Sequence, residues 1–225
     1  MLLRRLFPVL AVALVGLGSS WALSLERAGS PAMFFALGAA EVAALAVGLV
    51  ALRGDTFLAP AWTPRWGDLR NGFLLAVLGW AAATGGAKFL AGSGSFDAEL
   101  LRVYVQVGPW SGSPAFPSAA ALLVVVALEE TVWRWLVPRA LLGFVPARLA
   151  WLLSAVLYAL AHVPSARALA LGSSPNYLVA ELALGLGLVL GGTSAAVGRV
   201  VPGFFAHLFF DLALLGPFAL VRMAP

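Results

Sequence analysis

Residues 118–142 read SAAALLVVVALEETVWRWLVPRALL, an apolar run that contains Glu129, Glu130 and Arg134. A run of about 20 apolar residues is long enough to cross a bilayer as a helix. A charged side chain at the centre of a bilayer costs about 3 kcal/mol or more, so ionisable residues in such a run are functional candidates. We therefore expect these charges to have partners in other apolar runs of the chain.

The composition is that of an integral membrane protein. Hydrophobic residues make up 62% and charged residues 11% of the 225, with a mean hydropathy of +0.97, whereas soluble domains are about half apolar and about a quarter charged. The absence of cysteine excludes disulfides, thiolate catalysis and cysteine-ligated metal sites. The 14 Lys and Arg are scattered at the ends of apolar runs, which predicts contact with membrane lipids and no nucleic-acid partner.

The apolar runs predict an all-α fold, a polytopic transmembrane helical bundle of seven helices, or eight if the last run is broken. Two longer connections, 53–70 and 92–117, are predicted to be an interfacial stretch and an external loop. No repeat or long linker interrupts the pattern, so we expect 1–225 to form a single integral membrane domain with its motifs in about 118–220. The runs lie near 6–25, 32–52, 72–91, 118–142, 147–163, 176–192 and 194–220.

The distribution of basic residues predicts a multi-pass protein of the cell membrane with a cytoplasmic N-terminus. Cytoplasmic loops are enriched in Lys and Arg. In this orientation nine of the 14 basic residues fall at cytoplasmic ends: Arg4, Arg5, Arg53, Arg65, Arg70, Arg134, Arg139, Arg148 and Arg199.

Helix spacing separates the two adjacent glutamates. Residues four apart share a helix face, so Glu130 is predicted to form a structural ion pair with Arg134. Glu129 is turned about 100° away and faces another surface. We therefore expect Glu129 to be the glutamate available for chemistry.

Both histidines lie in apolar runs with a partner one helical turn away. Tyr158 precedes His162 by four residues, and Asp211 follows His207 by four residues in a chain with only four Asp and two Asn. The simplest alternative is that such pairs only make hydrogen bonds that pack helices together. Counted from assumed cytoplasmic helix ends, Glu129, His162 and His207 lie 13, 14 and 13 residues deep, about 20 Å from one membrane face. This predicts a common site.

Two chemistries suit such a site, and the residues alone leave both open. In the first, Glu129 is a general base for a water held by His162, while His207, oriented by Asp211, faces the developing oxyanion. In the second, Glu129, His162 and His207 bind Zn²⁺ and leave one position open for water. A proton- or ion-coupled transporter could also use buried Glu, His and Asp, although such transporters often carry internal repeats.

In this order and spacing, the motifs resemble those of the CPBP intramembrane proteases. They are Glu129-Glu130-x-x-x-Arg134, Tyr158-x-x-x-His162 and His207-x-x-x-Asp211, with a glycine-rich stretch at 185–191. The family groups type II CAAX prenyl endopeptidases with bacteriocin-processing and immunity-related (Abi) membrane proteins. The resemblance covers about 119–215.

The resemblance implies an intramembrane endopeptidase that cleaves a membrane-associated or lipid-anchored peptide through water activated by Glu129, with no metal cofactor. It implies catalytic roles for Glu129, His162, His207 and Asp211 and a structural role for Glu130 with Arg134. Tyr158, where the family more often has Phe, and Glu181 are candidates for the cavity wall. Asp211 stands where Asn is common. The alternatives are a zinc site and a catalytically silent immunity or scaffold member of the same fold.

Overall fold

The computed structural model describes residues 2–24, 26–53, 58–91, 98–103, 115–170 and 175–221, and all regular structure in them is helical, which confirms the predicted all-α class. The elements are α1 (Leu2–Ala22), α2 (Pro31–Ala51), α3 (Leu58–Ala61), α4 (Asp68–Ala91), α5 (98–103), α6 (Ala115–Thr131), a π-helical turn (Val132–Leu136), α7 (Val137–Leu141), α8 (Ala147–His162), α9 (Ser165–Ala168), α10 (Leu178–Val197) and α11 (Val201–Val221).

The protein is a multi-pass helical bundle. Within the described ranges, four helical segments are long and apolar enough to cross a membrane: Leu2–Ala22, Pro31–Ala51, Ala147–Ala168 and Leu178–Val197. Large apolar side chains such as Leu17, Phe35 and Leu78 remain exposed on the outside, as expected where a bundle meets hydrocarbon. The total of seven or eight spans stays a prediction, because the predicted loop 92–117 lies largely outside the described residues.

The break between the last two helices is not where the apolar pattern put it. The pattern ended one run at 192 and began the next at 194, but α10 continues to Val197 and α11 begins at Val201. Gly198 ends α10 with φ +67°, a left-handed conformation that glycine adopts without steric cost. Pro202 lies in the first turn of α11, where a missing N–H breaks no helical bond. The expected depth of 13 residues for His207 is therefore wrong, because Ser194 belongs to α10 and His207 to α11.

A π-helical turn over Val132–Leu136 begins two residues after Glu130. Pro138 explains it, because a proline ring clashes with the carbonyl four residues back and the wider turn relieves that clash. In the π register the N–H of residue 138 would bond to the Trp133 carbonyl, but proline has none. The Ser154 hydroxyl of α8 donates to that carbonyl instead. The turn is thereby joined to α8.

Helix packing brings the motif-bearing helices together. α1 packs on α2 and α8, α8 packs on α10, and α11 packs on α4, α6 and α10. Gly187 of α10 lies so close to α8 that a Cβ there would be 3.1 Å from the Cβ of Ala155. Small residues of this kind let membrane helices approach closely. Phe7, Trp133 and Leu136 fill the core between α1, the π turn and α8.

A buried ion pair joins the start of α4 to the turn between α10 and α11. The Arg199 guanidinium donates to both carboxylate oxygens of Asp68, at 2.6 and 3.1 Å, and to the carbonyl of Thr63 at 3.1 Å. Burial acts to raise the pKa of Asp68, but the hydrogen bonds from Arg199 and from the Arg65 backbone outweigh it, so the pKa lies below its usual value.

Candidate active site

The side chain of Glu129 lies where three helices meet. Tyr158 donates its hydroxyl to Oε2 of Glu129 at 3.1 Å. Nε2 of His207 lies 3.4 Å from the same oxygen, and Nε2 of His162 lies 4.0 Å from Oε1. All four residues are buried. The structure thus brings the two histidines of the sequence motifs to the two oxygens of one carboxylate.

The contacts of His162 fix its tautomer. Its Nδ1 lies 2.8 Å from the backbone carbonyl of Tyr158, and a carbonyl oxygen only accepts hydrogen bonds, so Nδ1 carries the proton. In the neutral ring Nε2 then presents a lone pair toward Glu129. Ser165 donates its hydroxyl to the His162 carbonyl at 2.5 Å, where α8 ends. His162 is therefore held as a hydrogen-bond acceptor that faces the carboxylate.

His207 is oriented by Glu130. Its Nδ1 lies 2.9 Å from Oε1 of Glu130, while Nε2 faces Glu129 at 3.4 Å and Asp211 at 3.7 Å. A carboxylate accepts, so Nδ1 donates to Glu130 and Nε2 points toward the cavity. The expectation that Asp211 orients His207 through a hydrogen bond differs from this geometry, because the oxygen of Asp211 lies beyond hydrogen-bond reach of Nε2.

Glu130 and Arg134 are buried together as the helix spacing predicted. Nε of Arg134 lies 3.6 Å from Oε1 of Glu130, and the guanidinium lies 4.4 Å from the centroid of the Tyr158 ring. A Cβ at Gly203 of α11 would be only 2.8 Å from Oε2 of Glu130. Glycine at 203 therefore makes room for Glu130 beside α11, where it reaches His207.

A further buried carboxyl comes from α2. Glu41 is 1% exposed, and its Oε1 accepts a hydrogen bond of 3.2 Å from the indole N–H of Trp133. The ring of Trp133 in turn contacts the ring of Tyr158, with centroids 5.5 Å apart. Glu41 thus anchors the π turn through the Trp133 side chain, as Ser154 does through the Trp133 carbonyl, and the sequence gives no signal for this contact beyond an isolated acid in an apolar run.

An apolar cavity leads to these groups. It has a volume of about 170 Å³ and is open on one side, which makes it smaller than most small-ligand sites. Glu129, Tyr158, His162, His207 and Asp211 line its polar side. The remaining wall is apolar: Leu23, Met33, Phe34, Leu37, Val103, Leu122, Val125, Val179, Leu182, Ala183, Leu186 and Phe210.

Glu181 does not take part in this site. The structure places it in the first turn of α10 with an exposed side chain, and it is not among the residues that line the cavity. Its neighbours Val179, Leu182 and Ala183 face the cavity instead, because residues on one helix turn point to different sides.

The donor atoms suit zinc in kind but not in arrangement. Two imidazole nitrogens and a carboxylate are common zinc ligands, and in a tetrahedral site they would lie about 3.3 Å from one another. Nε2 of His162 is 4.0 Å from Glu129, and within the described part of the chain no three His, Asp or Glu side chains are grouped so as to hold a metal ion. This spacing does not fit a tetrahedral zinc site.

Comparison with known proteins identifies the motif-bearing region. Residues 111–213 match the sequence model of the family described as type II CAAX prenyl endopeptidase Rce1-like. No curated protein and no solved structure matches the chain. The matched region begins just before α6 and ends in α11, so it includes Glu129, His162, His207 and Asp211.

Proposed function

Since residues 111–213 are a domain of the Rce1-like type II CAAX prenyl endopeptidase family, which implies an intramembrane peptidase, we propose that Glu129 activates a water for peptide hydrolysis in this cavity. The observation that carries the proposal is the position of one buried carboxylate between two imidazoles at the wall of an open cavity. A general base must lie within hydrogen-bond or one-water reach of the proton that it removes.

The nucleophile is a water between Glu129 and His162. The 4.0 Å between Oε1 and Nε2 allows one water to donate to both atoms, because each is an acceptor in the assigned state. As the oxygen of this water bonds to the substrate carbonyl carbon, Glu129 takes one proton from the water. His162 holds the other hydrogen and keeps the lone pair of the water directed into the cavity.

His207 stabilises the negative charge that develops on the substrate carbonyl oxygen. With Nδ1 held by Glu130 at 2.9 Å, Nε2–H points toward the cavity and donates to the oxyanion. Donation from both ring nitrogens requires the imidazolium form of His207, with Glu130 as the acceptor at Nδ1. When the carbon–nitrogen bond breaks, Glu129 returns its proton to the leaving amine, and the products are an amine and a carboxylic acid that keeps the second proton of the water.

Arg134 stabilises the buried charge of Glu130 inside the bundle. Its guanidinium offsets the charge of Glu130 at 3.6 Å and lies against the Tyr158 ring. Removal of one partner from a buried pair leaves an uncompensated charge. We propose that Glu130 and Arg134 are positioning residues, while Glu129, His162 and His207 are the catalytic residues.

The proposed substrate is a membrane-associated or lipid-anchored peptide, because the cavity lies within a bundle whose outside is apolar. A peptide that carries apolar side chains next to the cleaved bond fits the wall formed by Leu122, Val125, Leu182 and Leu186. Burial of such side chains is favourable by about 1.5–3 kcal/mol each when they enter the cavity from water, whereas side chains that enter from lipid gain little.

The test is a cleavage screen with purified protein in detergent and a library of apolar peptides, run in parallel on wild type and Glu129→Gln. The amide keeps the size of the side chain but is a very weak proton acceptor. Cleavage that the wild type shows and the variant lacks supports the proposal, provided that both have the same melting temperature. Equal cleavage by both would exclude Glu129 as the base. Absence of cleavage by both across the library would favour the silent member of the fold.

A further inference from the structure

The two ends of the bundle differ in charge. The first end, here called the arginine-rich end, holds the start of α1, the end of α2, the start of α4, the α7–α8 turn and the α10–α11 turn. Arg4 donates to the carbonyl of Arg139 at 3.0 Å, and Arg199 binds Asp68, which places these segments together. Eight basic residues lie there: Arg4, Arg5, Arg53, Arg65, Arg70, Arg139, Arg148 and Arg199.

The opposite end, here called the cavity end, carries nearly balanced charge. It holds the α1–α2 loop, the end of α4, α5, the α8–α9 turn and the start of α10. Its charged residues in the described ranges are Glu26, Arg27, Lys88, Glu99, Arg102, Arg167 and Glu181, four basic and three acidic. Arg134, which the sequence placed among the cytoplasmic ends, is instead buried beside Glu130.

The catalytic cavity lies in the half of the bundle next to the cavity end. Its wall includes Leu23 just after α1, Met33 near the start of α2, Val103 in α5 and Val179 at the start of α10. His162 is the last residue of α8, the helix that begins at the arginine-rich end. Glu129 lies 12 residues before the end of α7 at Leu141, which is about 18 Å and beyond the middle of a hydrocarbon core about 30 Å thick.

From this geometry we infer that the cavity opens on the extracytoplasmic face of the membrane. Basic residues in short loops are retained on the cytoplasmic side, so the arginine-rich end faces the cytoplasm and the cavity end faces outward. Resting on the proposed function, the substrate is then a juxtamembrane segment of a membrane protein, or an exported peptide, that reaches the site from outside. Cytosolic proteins with a lipid anchor on the inner leaflet do not reach it.

The absence of cysteine makes the orientation directly measurable. Ala98→Cys at the start of α5 and Ala147→Cys at the start of α8 are matched variants, because both alanines are exposed and lie at opposite ends. Intact cells are treated with a membrane-impermeant maleimide. Labelling of the thiol at 98 but not at 147, with both labelled after lysis, is the expected result. The reverse pattern would overturn the inference.

A second arm tests the side of cleavage. Two sets of single-span reporter proteins carry the same library of apolar segments next to the membrane. The outside set carries the segment on the extracytoplasmic side, and the inside set carries it on the cytoplasmic side. Each set is expressed together with the wild-type protein or with Glu129→Gln. Cleavage of the outside set by the wild type alone is expected. Cleavage of the inside set alone would overturn the inferred side while leaving the peptidase function intact. If neither set is cleaved, the proposed function fails, and the thiol labelling still decides the orientation.

Discussion

The amino-terminal half, α1–α5, and the motif-bearing half, α6–α11, each contribute a buried glutamate, and the two differ in their surroundings. Glu41 of α2 accepts one hydrogen bond from Trp133, and its Oε2 receives none from the described residues. Glu129 of α6 faces two imidazoles, a tyrosine hydroxyl and the cavity. Burial alone therefore does not separate the two carboxyls, and the proposed catalytic role of Glu129 rests on its partners and on its access to the cavity.

The two halves also contribute different kinds of residue to the cavity wall. Among the residues that the structure describes, the motif-bearing half supplies every polar group that lines it, while the amino-terminal half adds only apolar wall residues: Leu23, Met33, Phe34, Leu37 and Val103. The family match covers 111–213 and none of these residues. We therefore expect the chemistry to depend on the second half and the choice of peptide to depend partly on the first.

The largest expected effect is on stability. Glu130→Gln leaves Arg134 without a charged partner in a buried position, which is expected to cost about 3–5 kcal/mol in the free energy of unfolding. Glu181→Gln makes the same chemical change on the exposed face of α10 and should change stability by less than about 0.5 kcal/mol. Thermal unfolding in detergent measures both. Similar melting temperatures for the two variants would contradict the buried pair.

His207→Gln is expected to lower kcat by about 10²- to 10³-fold, because it removes the donor to the oxyanion. Tyr158→Phe is the matched control within the motif-bearing half. It keeps the ring beside Arg134 and removes one hydroxyl, so we expect a loss smaller than about tenfold. Single-turnover cleavage of a confirmed peptide separates the two. A larger loss for Tyr158→Phe than for His207→Gln would assign the oxyanion to the tyrosine.

The ion pair of Asp68 and Arg199 at the arginine-rich end gives a pH-dependent prediction. Because the pKa of Asp68 is below its usual value in the folded protein, the pair with Arg199 adds stability above about pH 4 and loses it as the pH falls through the folded pKa. Asp68→Asn should therefore be less stable than wild type by about 2 kcal/mol near pH 7. This difference should shrink below about pH 4. A difference independent of pH would contradict the ion pair.

The smallest effect tests the role of the amino-terminal half. Leu37→Trp narrows the cavity from the α2 side and should raise KM for bulky apolar peptides by about tenfold while leaving kcat nearly unchanged. Leu78→Trp, on the lipid-facing surface of α4 where the side chain is 65% exposed, is the control and should change neither constant. A fall in kcat without a change in KM would show that α2 acts on the chemistry.

Local patterns predicted much of the fold and part of the site. Apolar length placed the helices, and spacing of four residues placed Glu130 beside Arg134, because both depend on neighbours in the chain. The hydrogen bond from His207 to Glu130 joins residues 77 apart in the sequence, so local spacing cannot predict it. The π turn is similar, since its cause at Pro138 is visible in the sequence but its partner Ser154 depends on how α8 packs.

The most direct test of the account is kcat for Glu129→Gln beside Glu41→Gln on one confirmed peptide. Both variants replace a buried carboxyl with its amide, but only Glu129 faces the cavity. We predict that Glu129→Gln lowers kcat by about 10³-fold or more, since general-base catalysis contributes about 10²–10⁴-fold, while Glu41→Gln keeps kcat within about tenfold of wild type. Near wild-type kcat for Glu129→Gln, or an equal loss in both variants, would contradict the account.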